Sequence, residues 1–219
     1  MLVCIASFLL FLAVPRFFSS IDALYSDAVI EKISSGESTS QAIYLKAKRH
    51  LISAIDWTDS DVYWRQLSFL KFNYFISNLA EDRDVDQSIA ELRATSVIAL
   101  QMMPVAPYTW SDLAVINSMY PETLNSALQA MKMSVYVDRV NPNLLKSRVL
   151  FLWKNSPILD DELHTLFKAQ LLLLWQLKRY ELIQVLKDNP DIESFLFDLL
   201  LNSPEDLLEF NKLLVKIRR

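Results

Sequence analysis

Glycine is almost absent from this sequence, in which Gly36 is the single glycine among 219 residues. Glycine supplies the positive-φ positions and close backbone approaches on which many phosphate-binding and acyl-transfer sites depend. The chain therefore has no GxGxxG dinucleotide loop, no GxxxxGK phosphate loop and no GxSxG nucleophile elbow. This absence excludes those classes of site and predicts helices that are joined by prolines and polar caps.

Cysteine and histidine are nearly as scarce. Cys4 is the only cysteine, so neither an intramolecular disulfide nor a cysteine-based metal site is possible. His50 stands among basic residues, and His164 shares a helical face with Asp161, a pair that supplies only two ligands. We therefore expect no metal, no cofactor and no catalytic residues, and the chain is predicted not to be an enzyme.

Basic residues do not dominate the charge. The 22 lysines and arginines face 26 aspartates and glutamates, which gives a net charge of -4 and a pI near 5.3. A surface that binds nucleic acid is usually basic. The basic clusters at residues 46–50, 178–179 and 216–219 fall on predicted helices, where a solvated face or the helix dipole explains them. We expect no nucleic-acid partner.

One long apolar run opens the chain, and from Leu2 to Phe18 its only charged side chain is Arg16. A membrane-spanning helix needs about 20 apolar residues and at least about 17. The run reaches this limit if Arg16 extends to the lipid headgroups. A cleaved signal, disfavoured by the cleavage context at residues 14–18, and a buried helix stay open as alternatives. The favoured prediction is a single membrane anchor.

The rest of the chain carries helical periodicity and helix-start signals. Seven of the eight prolines lie beyond residue 100, and Ser203-Pro204 followed by acids is typical of a helix start. Residues 58–61 and 109–112 resemble capping boxes. No stretch alternates as a strand does. These signals predict an all-α fold with helices at 20–34, 38–56, 59–80, 84–102, 109–119, 122–138, 142–154, 160–187, 191–201 and 204–217.

Helix pairs in series favour a tetratricopeptide-like array of antiparallel helix pairs. Trp110 and Leu113, then Ala127 and Ala130, then Pro142 resemble one such repeat. The glycine of the repeat pattern is missing, and an irregular helical bundle stays the alternative. The predicted organisation is a membrane anchor or signal segment at 1–18, juxtamembrane helices and a linker at 19–57, and a tetratricopeptide-like helical domain at 58–219.

Two segments carry a resemblance to a known family. PVAPYTWSDLA at residues 104–114 is followed, after a helix, by LKSRVLFLW at residues 145–153. In this order they resemble VpsP-type polysaccharide biosynthesis proteins of bacterial exopolysaccharide gene clusters, which join an N-terminal hydrophobic segment to a tetratricopeptide-like domain. The resemblance covers roughly residues 85–217. It implies a place in the bacterial inner membrane beside polysaccharide synthesis or export proteins, and it implies no catalytic residues.

The function we expect is a non-enzymatic, single-pass scaffold or adaptor that supports polysaccharide biosynthesis or export, with its helical domain in the periplasm. The alternative is a helical-repeat regulator or assembly chaperone at the membrane with no link to polysaccharide. Aromatic residues are common on binding surfaces as well as in cores. Tyr108, Trp110 and Tyr136 are therefore the candidate residues for contact with a protein partner.

Overall fold

A computed structural model describes residues 2–79 and 84–217, and these residues form helices and no strand. The all-α prediction is confirmed. The chain groups into two compact units, unit 1 (Met1–Tyr120) and unit 2 (Pro121–Arg219). The functional division at residues 18 and 57 stays a prediction, as does the tetratricopeptide-like pairing of helices.

Unit 1 contains five helices: α1 (Leu2–Ser34), α2 (Gln41–Trp57), α3 (Asp61–Asn78), α4 (Val85–Met102) and α5 (Pro107–Asn117). Each helix contacts the next one along the chain, and α3 also contacts α1 and α5. Ser40 and Asp84 cap α2 and α4, because their side chains accept hydrogen bonds from backbone N–H groups three residues on. The core between α1, α2 and α3 is formed by Val29, Tyr44, Ala47, Leu51, Leu67 and Leu70.

The first helix is longer than the sequence predicted. A predicted helix at 20–34 and the predicted anchor form one continuous helix, with Pro15 inside it. Burial begins at Ser19 and then recurs at Ala23, Ser26 and Val29, which places one face of the helix against the unit. The Ser26 hydroxyl donates to the Ala47 carbonyl at 2.9 Å, and the Ser53 hydroxyl donates to Asp22 at 2.7 Å, so polar contacts also join α1 to α2.

The single glycine ends this helix. Gly36 has φ +86°, in the left-handed region that side chains with a Cβ disfavour. The Gly36 N–H donates to the Ile33 carbonyl and the Glu37 N–H to the Lys32 carbonyl, both at 3.0 Å. This pair of hydrogen bonds is the Schellman motif, in which glycine occupies the position after the helix cap.

Unit 2 contains a 3₁₀ turn (Pro121–Thr123), α6 (Leu124–Val137), α7 (Leu145–Lys154), a second 3₁₀ turn (Ser156–Ile158), α8 (Asp161–Leu177), α9 (Arg179–Asp188), α10 (Asp191–Leu200) and α11 (Pro204–Ile217). The central helix is α8, which contacts α6, α7, α9 and α10. Its Leu171, Leu174 and Trp175 are fully buried. Trp175 also donates to Asp206 of α11 at 2.9 Å and packs edge-on against Phe210.

A fully buried arginine on α7 joins three parts of unit 2. The Arg148 guanidinium donates to the carbonyls of Ser134 (2.5 Å) and Asp138 (2.8 Å) at the end of α6, and to the Gln170 side-chain oxygen on α8 (3.3 Å). The last carbonyls of a helix lack partners within the helix and favour a cation. Arg148 is thus a side-chain cap for α6, reached from another helix.

Three local predictions were wrong. Residues 58–61 do not form the predicted capping box, because Thr58 is the C-cap of α2, α3 begins at Asp61, and Ser60 makes no side-chain capping hydrogen bond. The predicted helix 160–187 is interrupted at Lys178, whose backbone is non-helical (φ -141°), so α8 and α9 are separate helices. The predicted capping box at 109–112 lies inside α5, because that helix already begins at Pro107, a residue suited to a first helical turn. In contrast, Asp160 caps α8 through a 2.7 Å hydrogen bond from the Leu163 N–H.

Candidate functional site

A polar cleft of about 600 Å³ lies in unit 1 between α2, α3 and α4. Ligand pockets for small molecules usually measure about 300–1,000 Å³. The lining brings together two acidic side chains, two basic side chains, a tyrosine pair and several amides. The polar and aromatic lining residues are Gln41, Tyr44, Lys48, Lys71, Tyr74, Asn78, Asp84, Gln87, Ser88 and Glu91.

Two lysines converge on one glutamate at the centre of this cleft. The Nζ atoms of Lys48 and Lys71 lie 3.6 and 3.8 Å from the same carboxylate oxygen of Glu91. Both distances exceed the range of an N–H···O hydrogen bond, so these contacts are ion pairs held at a distance. The Lys71 ammonium also donates to the Thr95 hydroxyl at 2.9 Å. The lysines are the more buried groups, with 27% and 13% of their side chains exposed against 49% for Glu91.

The cleft perturbs the protonation of two of its groups. Burial, and next the charge of Lys48, lower the pKa of the Lys71 ammonium, and Glu91 opposes this shift. Burial raises the pKa of Tyr44 to about 12, with smaller contributions from Tyr74 and Glu91. Groups with shifted pKa values in a cleft are candidates for a functional site.

A stacked tyrosine pair forms one wall of the cleft. The rings of Tyr44 and Tyr74 lie 3.8 Å apart and nearly parallel, at 7°. Both tyrosines also line a second, smaller cavity of about 180 Å³, together with residues of the α1–α2 linker. The pair presents an aromatic surface to the main cleft, since both rings are among its lining residues.

The chemistry of the cleft favours binding. Two ammonium groups, two carboxylates and neutral amides can hold a polar ligand by charge and hydrogen bonds. No histidine or cysteine is among the residues that line it. Across residues 2–79 and 84–217 there is also no group of three or more His, Cys, Asp or Glu side chains placed to hold a metal ion.

The three predicted partner-binding residues lie in different units. Tyr108 and Trp110 lie on α5 of unit 1, and Tyr136 lies on α6 of unit 2. Tyr108 is 43% and Tyr136 51% exposed, whereas Trp110 is partly buried and donates to the Pro104 carbonyl at 2.7 Å. Tyr136 hydrogen bonds to Glu162, which also pairs with Lys132. Their role in partner binding stays a prediction.

One acidic residue on the same helix as Tyr108 has a strongly shifted pKa. Burial raises the pKa of Asp112 from 3.8 to about 8, so its carboxyl group is largely protonated near neutral pH. Asp112 lies between the well-buried Ser111 and Leu113 on α5. A neutral carboxyl group at this position is a feature of the packing of α5.

Besides the polar cleft, the apolar half of α1 is the second candidate functional feature of unit 1. From Cys4 to Phe18, every side chain that the structure describes is exposed or only partly buried, whereas Ser19 is 1% exposed. The segment Ser7–Ser34 is long and apolar enough to cross a membrane. The large apolar side chains that are exposed on this half are Ile5, Phe8, Leu9, Leu10, Phe11, Leu12, Val14, Phe17 and Phe18.

Sequence reasoning missed the cleft, although one signal was present. Lys71 lies four residues after Leu67 and four before Phe75, both of which are buried. Residues at this spacing share a helical face, so a charged residue stands on the core-facing stripe of α3. A lysine on such a stripe indicates a partner or a cleft.

Comparison with protein-family models and with curated proteins finds no match to this chain.

Proposed function

We propose that the protein is a non-enzymatic, membrane-anchored helical binding module, in which α1 holds unit 1 at a bilayer surface. The observation that carries this proposal is the switch at Ser19, where an exposed apolar helix becomes a helix packed on one face. Soluble proteins rarely expose a contiguous apolar surface of this extent. A bilayer would cover it.

The dimensions support a short membrane span. Residues 2–18 of an α-helix measure about 25 Å, at about 1.5 Å per residue, close to the hydrocarbon thickness of about 30 Å. Exposed Ile21 and Leu24 extend the apolar side of α1 beyond Phe18. Pro15 inside such a helix is tolerated in membranes better than in soluble helices.

Residues typical of the membrane interface lie where the exposed half ends. The rings of Phe18 and Trp57 stack at 5.0 Å, and Trp57 is 46% exposed. Arg16, two residues before Phe18 on α1, lines a shallow open pocket together with Tyr63 and Met102. Tryptophan, tyrosine and arginine are enriched or tolerated at headgroup level. This end of unit 1 would therefore face the bilayer surface.

The finer proposal rests on the family resemblance alone. It places the protein in the bacterial inner membrane, with a tetratricopeptide-like domain in the periplasm that binds polysaccharide synthesis or export proteins. Tyr108, Trp110 and Tyr136 would contribute to that binding. The alternative is a regulator or assembly chaperone at the membrane with no link to polysaccharide.

Membrane attachment is tested by one charge placed at two positions of α1. Arginine near the middle of a span costs about 2.5–3.5 kcal/mol. Leu10→Arg should therefore shift the protein from the membrane fraction to the soluble fraction after an alkaline carbonate wash. Ala28→Arg puts the same charge on an exposed position beyond Ser19 and should leave the protein in the membrane.

Three results would contradict the anchor. Wild-type protein in the soluble fraction would indicate a buried helix, and a mature chain lacking the apolar run by mass spectrometry would indicate a cleaved signal. Membrane retention of Leu10→Arg at the wild-type level would show that this half of α1 is not the span.

Alkaline phosphatase fused after Arg219 would be active only with a periplasmic C-terminus.

The adaptor role is tested by co-purification from detergent-solubilised inner membranes. We expect polysaccharide synthesis or export proteins to be recovered with wild-type protein and to be lost with a Tyr108→Ala, Tyr136→Ala double variant. Tyr180→Ala is the control, since Tyr180 is 75% exposed and outside the predicted set. Recovery of the protein alone would refute the polysaccharide adaptor.

A further inference from the structure

We propose that the cleft of unit 1 binds a small polar ligand through an anionic group, a carboxylate or a phosphate, held between the ammonium groups of Lys48 and Lys71. This binding site goes beyond the proposed anchor and adaptor functions and depends on neither. Its geometry is formed by residues of α2, α3 and α4 and by Asp84, the N-cap of α4.

The two ammonium groups of the cleft carry more N–H donors than their contacts within the protein use. A lysine ammonium carries three N–H donors. Within the part of the chain that the structure describes, the Lys71 ammonium makes one hydrogen bond, to Thr95, and its carboxylate neighbour lies at 3.8 Å. The Lys48 ammonium lies 3.6 Å from the same oxygen. Each therefore retains donors that an anion can use.

The cationic side chains of the cleft are more deeply buried than its Glu91 carboxylate. The two lysines lie deeper than Glu91, whose side chain is half exposed. A carboxylate at the mouth can turn toward solvent, whereas the cations cannot leave as easily. An entering anion would replace Glu91 as the partner of the two ammonium groups and gain interactions strengthened by the lower local dielectric.

The two positive charges of the cleft destabilise each other. Lys48 and Lys71 repel each other, and this repulsion contributes, after burial, to the lowered pKa of the Lys71 ammonium. An anion held between the two ammonium groups would offset this repulsion, which Glu91 offsets only in part. Ligand binding should consequently raise the pKa of the Lys71 ammonium.

The rest of the lining selects the body of the ligand. Gln41, Asn78, Gln87 and Ser88 offer neutral donors and acceptors, and the tyrosine pair offers an aromatic wall. Such a lining suits hydroxyl groups on a compact ring better than an alkyl chain. A sugar acid and a sugar phosphate share this chemistry, and the test below distinguishes the two anions.

The experiment is isothermal titration calorimetry of the detergent-solubilised 219-residue chain. The probes are inorganic phosphate and glucuronate, with glucose as the neutral counterpart. We expect at least one of the anions to bind and glucose to bind much more weakly. Binding of phosphate alone assigns a phosphate group to the ligand, and binding of glucuronate alone assigns a carboxylate.

Three charge variants should change the affinity for the anion in opposite directions. Lys48→Gln and Lys71→Gln each remove one charge-assisted contact and should weaken anion binding about tenfold or more. Glu91→Gln removes the internal competitor and should strengthen it several-fold. Lys46→Gln is the matched control on α2, because the Lys46 ammonium lies over the Tyr25 ring, 4.3 Å from its centroid, and is not among the residues lining the cleft.

The proposal has clear points of failure. It is overturned if neither anion binds, if glucose binds as well as glucuronate, or if Lys46→Gln weakens binding as much as Lys71→Gln. It is also overturned if Glu91→Gln weakens binding while circular dichroism shows unchanged helicity, since that would make the charged trio a structural network. None of these outcomes bears on membrane attachment, which is measured separately.

Discussion

Replacing the buried arginine of unit 2 should destabilise the protein more than any other single charge substitution discussed for this chain. Arg148 is fully buried, and its guanidinium satisfies the backbone carbonyls of Ser134 and Asp138 and the side chain of Gln170. In Arg148→Met the apolar volume is largely kept, so the loss comes from the acceptors that are left without a donor.

The size of the effect follows from those acceptors. Leaving a buried acceptor unpaired costs about 1–3 kcal/mol. Four acceptors would lose a donor, because the Ser134 hydroxyl also accepts from the guanidinium, and water that enters the vacated space would offset part of the cost. We expect Arg148→Met to lower the free energy of unfolding by about 3–5 kcal/mol, which is the cost of these acceptors after that offset. Arg148→Lys keeps the charge, yet it cannot reproduce the planar fork and should lose a smaller amount.

Thermal unfolding in detergent, followed by circular dichroism, measures this loss. For a chain of 150–250 residues each kcal/mol shifts Tm by about 2–4 °C, so a decrease of at least about 6 °C is expected. Arg139→Ala is the control, since the Arg139 side chain is exposed. Amide exchange of peptides covering α6 and α7 should accelerate in Arg148→Met alone. Equal Tm values for the two variants would refute the capping role.

Three further predictions follow from single residues. Because burial raises the pKa of Asp112 to about 8, the unfolded chain releases this proton first, and stability should fall by about 1.4 kcal/mol per pH unit from about pH 4 to about pH 8. Asp112→Asn should remove that contribution in denaturant titrations at several pH values, and identical slopes for both proteins would contradict the shift. Gly36→Ala meets open space but keeps a φ of +86°, so it should cost about 1–2 kcal/mol in unfolding experiments, and an unchanged stability would argue against the Schellman geometry. Trp175→Phe removes the 2.9 Å hydrogen bond to Asp206 and should speed amide exchange across α11, whereas unchanged exchange would assign the docking of that helix to Phe210 and to the ion pairs of Arg179 with Asp206 and Glu209.

The helix starts that sequence predicted well are those with a complete local signal. The start of α8 is specified by Asp160 and the acidic residues that directly follow it, a local signal only four residues long. Ser203-Pro204 specifies the start of α11 in the same way. A cap needs only a side chain and backbone groups close to it in sequence. These starts are therefore independent of the rest of the fold.

The break at Lys178 could not be predicted in this way. No glycine or proline lies near it, and the residues on both sides have helical periodicity. The break allows α9 to contact both α7 and α8, so tertiary packing determines it. Residues 18–20 gave the opposite error, because the predicted anchor and the predicted helix at 20–34 are one continuous helix in α1.

The cleft was beyond sequence reasoning for a related reason. Lys48, Lys71 and Glu91 come from three helices, and no short motif contains any two of them. Lys48 and Glu91 alone are each typical of a solvated helix face, and Lys71 on its core-facing stripe does not identify its partners. Only the packing of α2, α3 and α4 brings both ammonium groups within 4 Å of the Glu91 carboxylate.

The continuity of α1 limits where the ligand of the cleft can come from. Trp57 and Met102 lie near the end of unit 1 from which the exposed half of α1 extends, as their contacts with Phe18 and Arg16 indicate. Tyr44 precedes Trp57 by 13 positions on α2, and Glu91 precedes Met102 by 11 on α4, which correspond to about 20 and 17 Å at about 1.5 Å per residue. The headgroup layer is only about 5–8 Å thick on each side of a bilayer. With α1 crossing the membrane as proposed and α2 and α4 aligned with the bilayer normal, the cleft would lie beyond that layer. Its anionic ligand would then arrive from solution or from a bound partner rather than from a lipid headgroup.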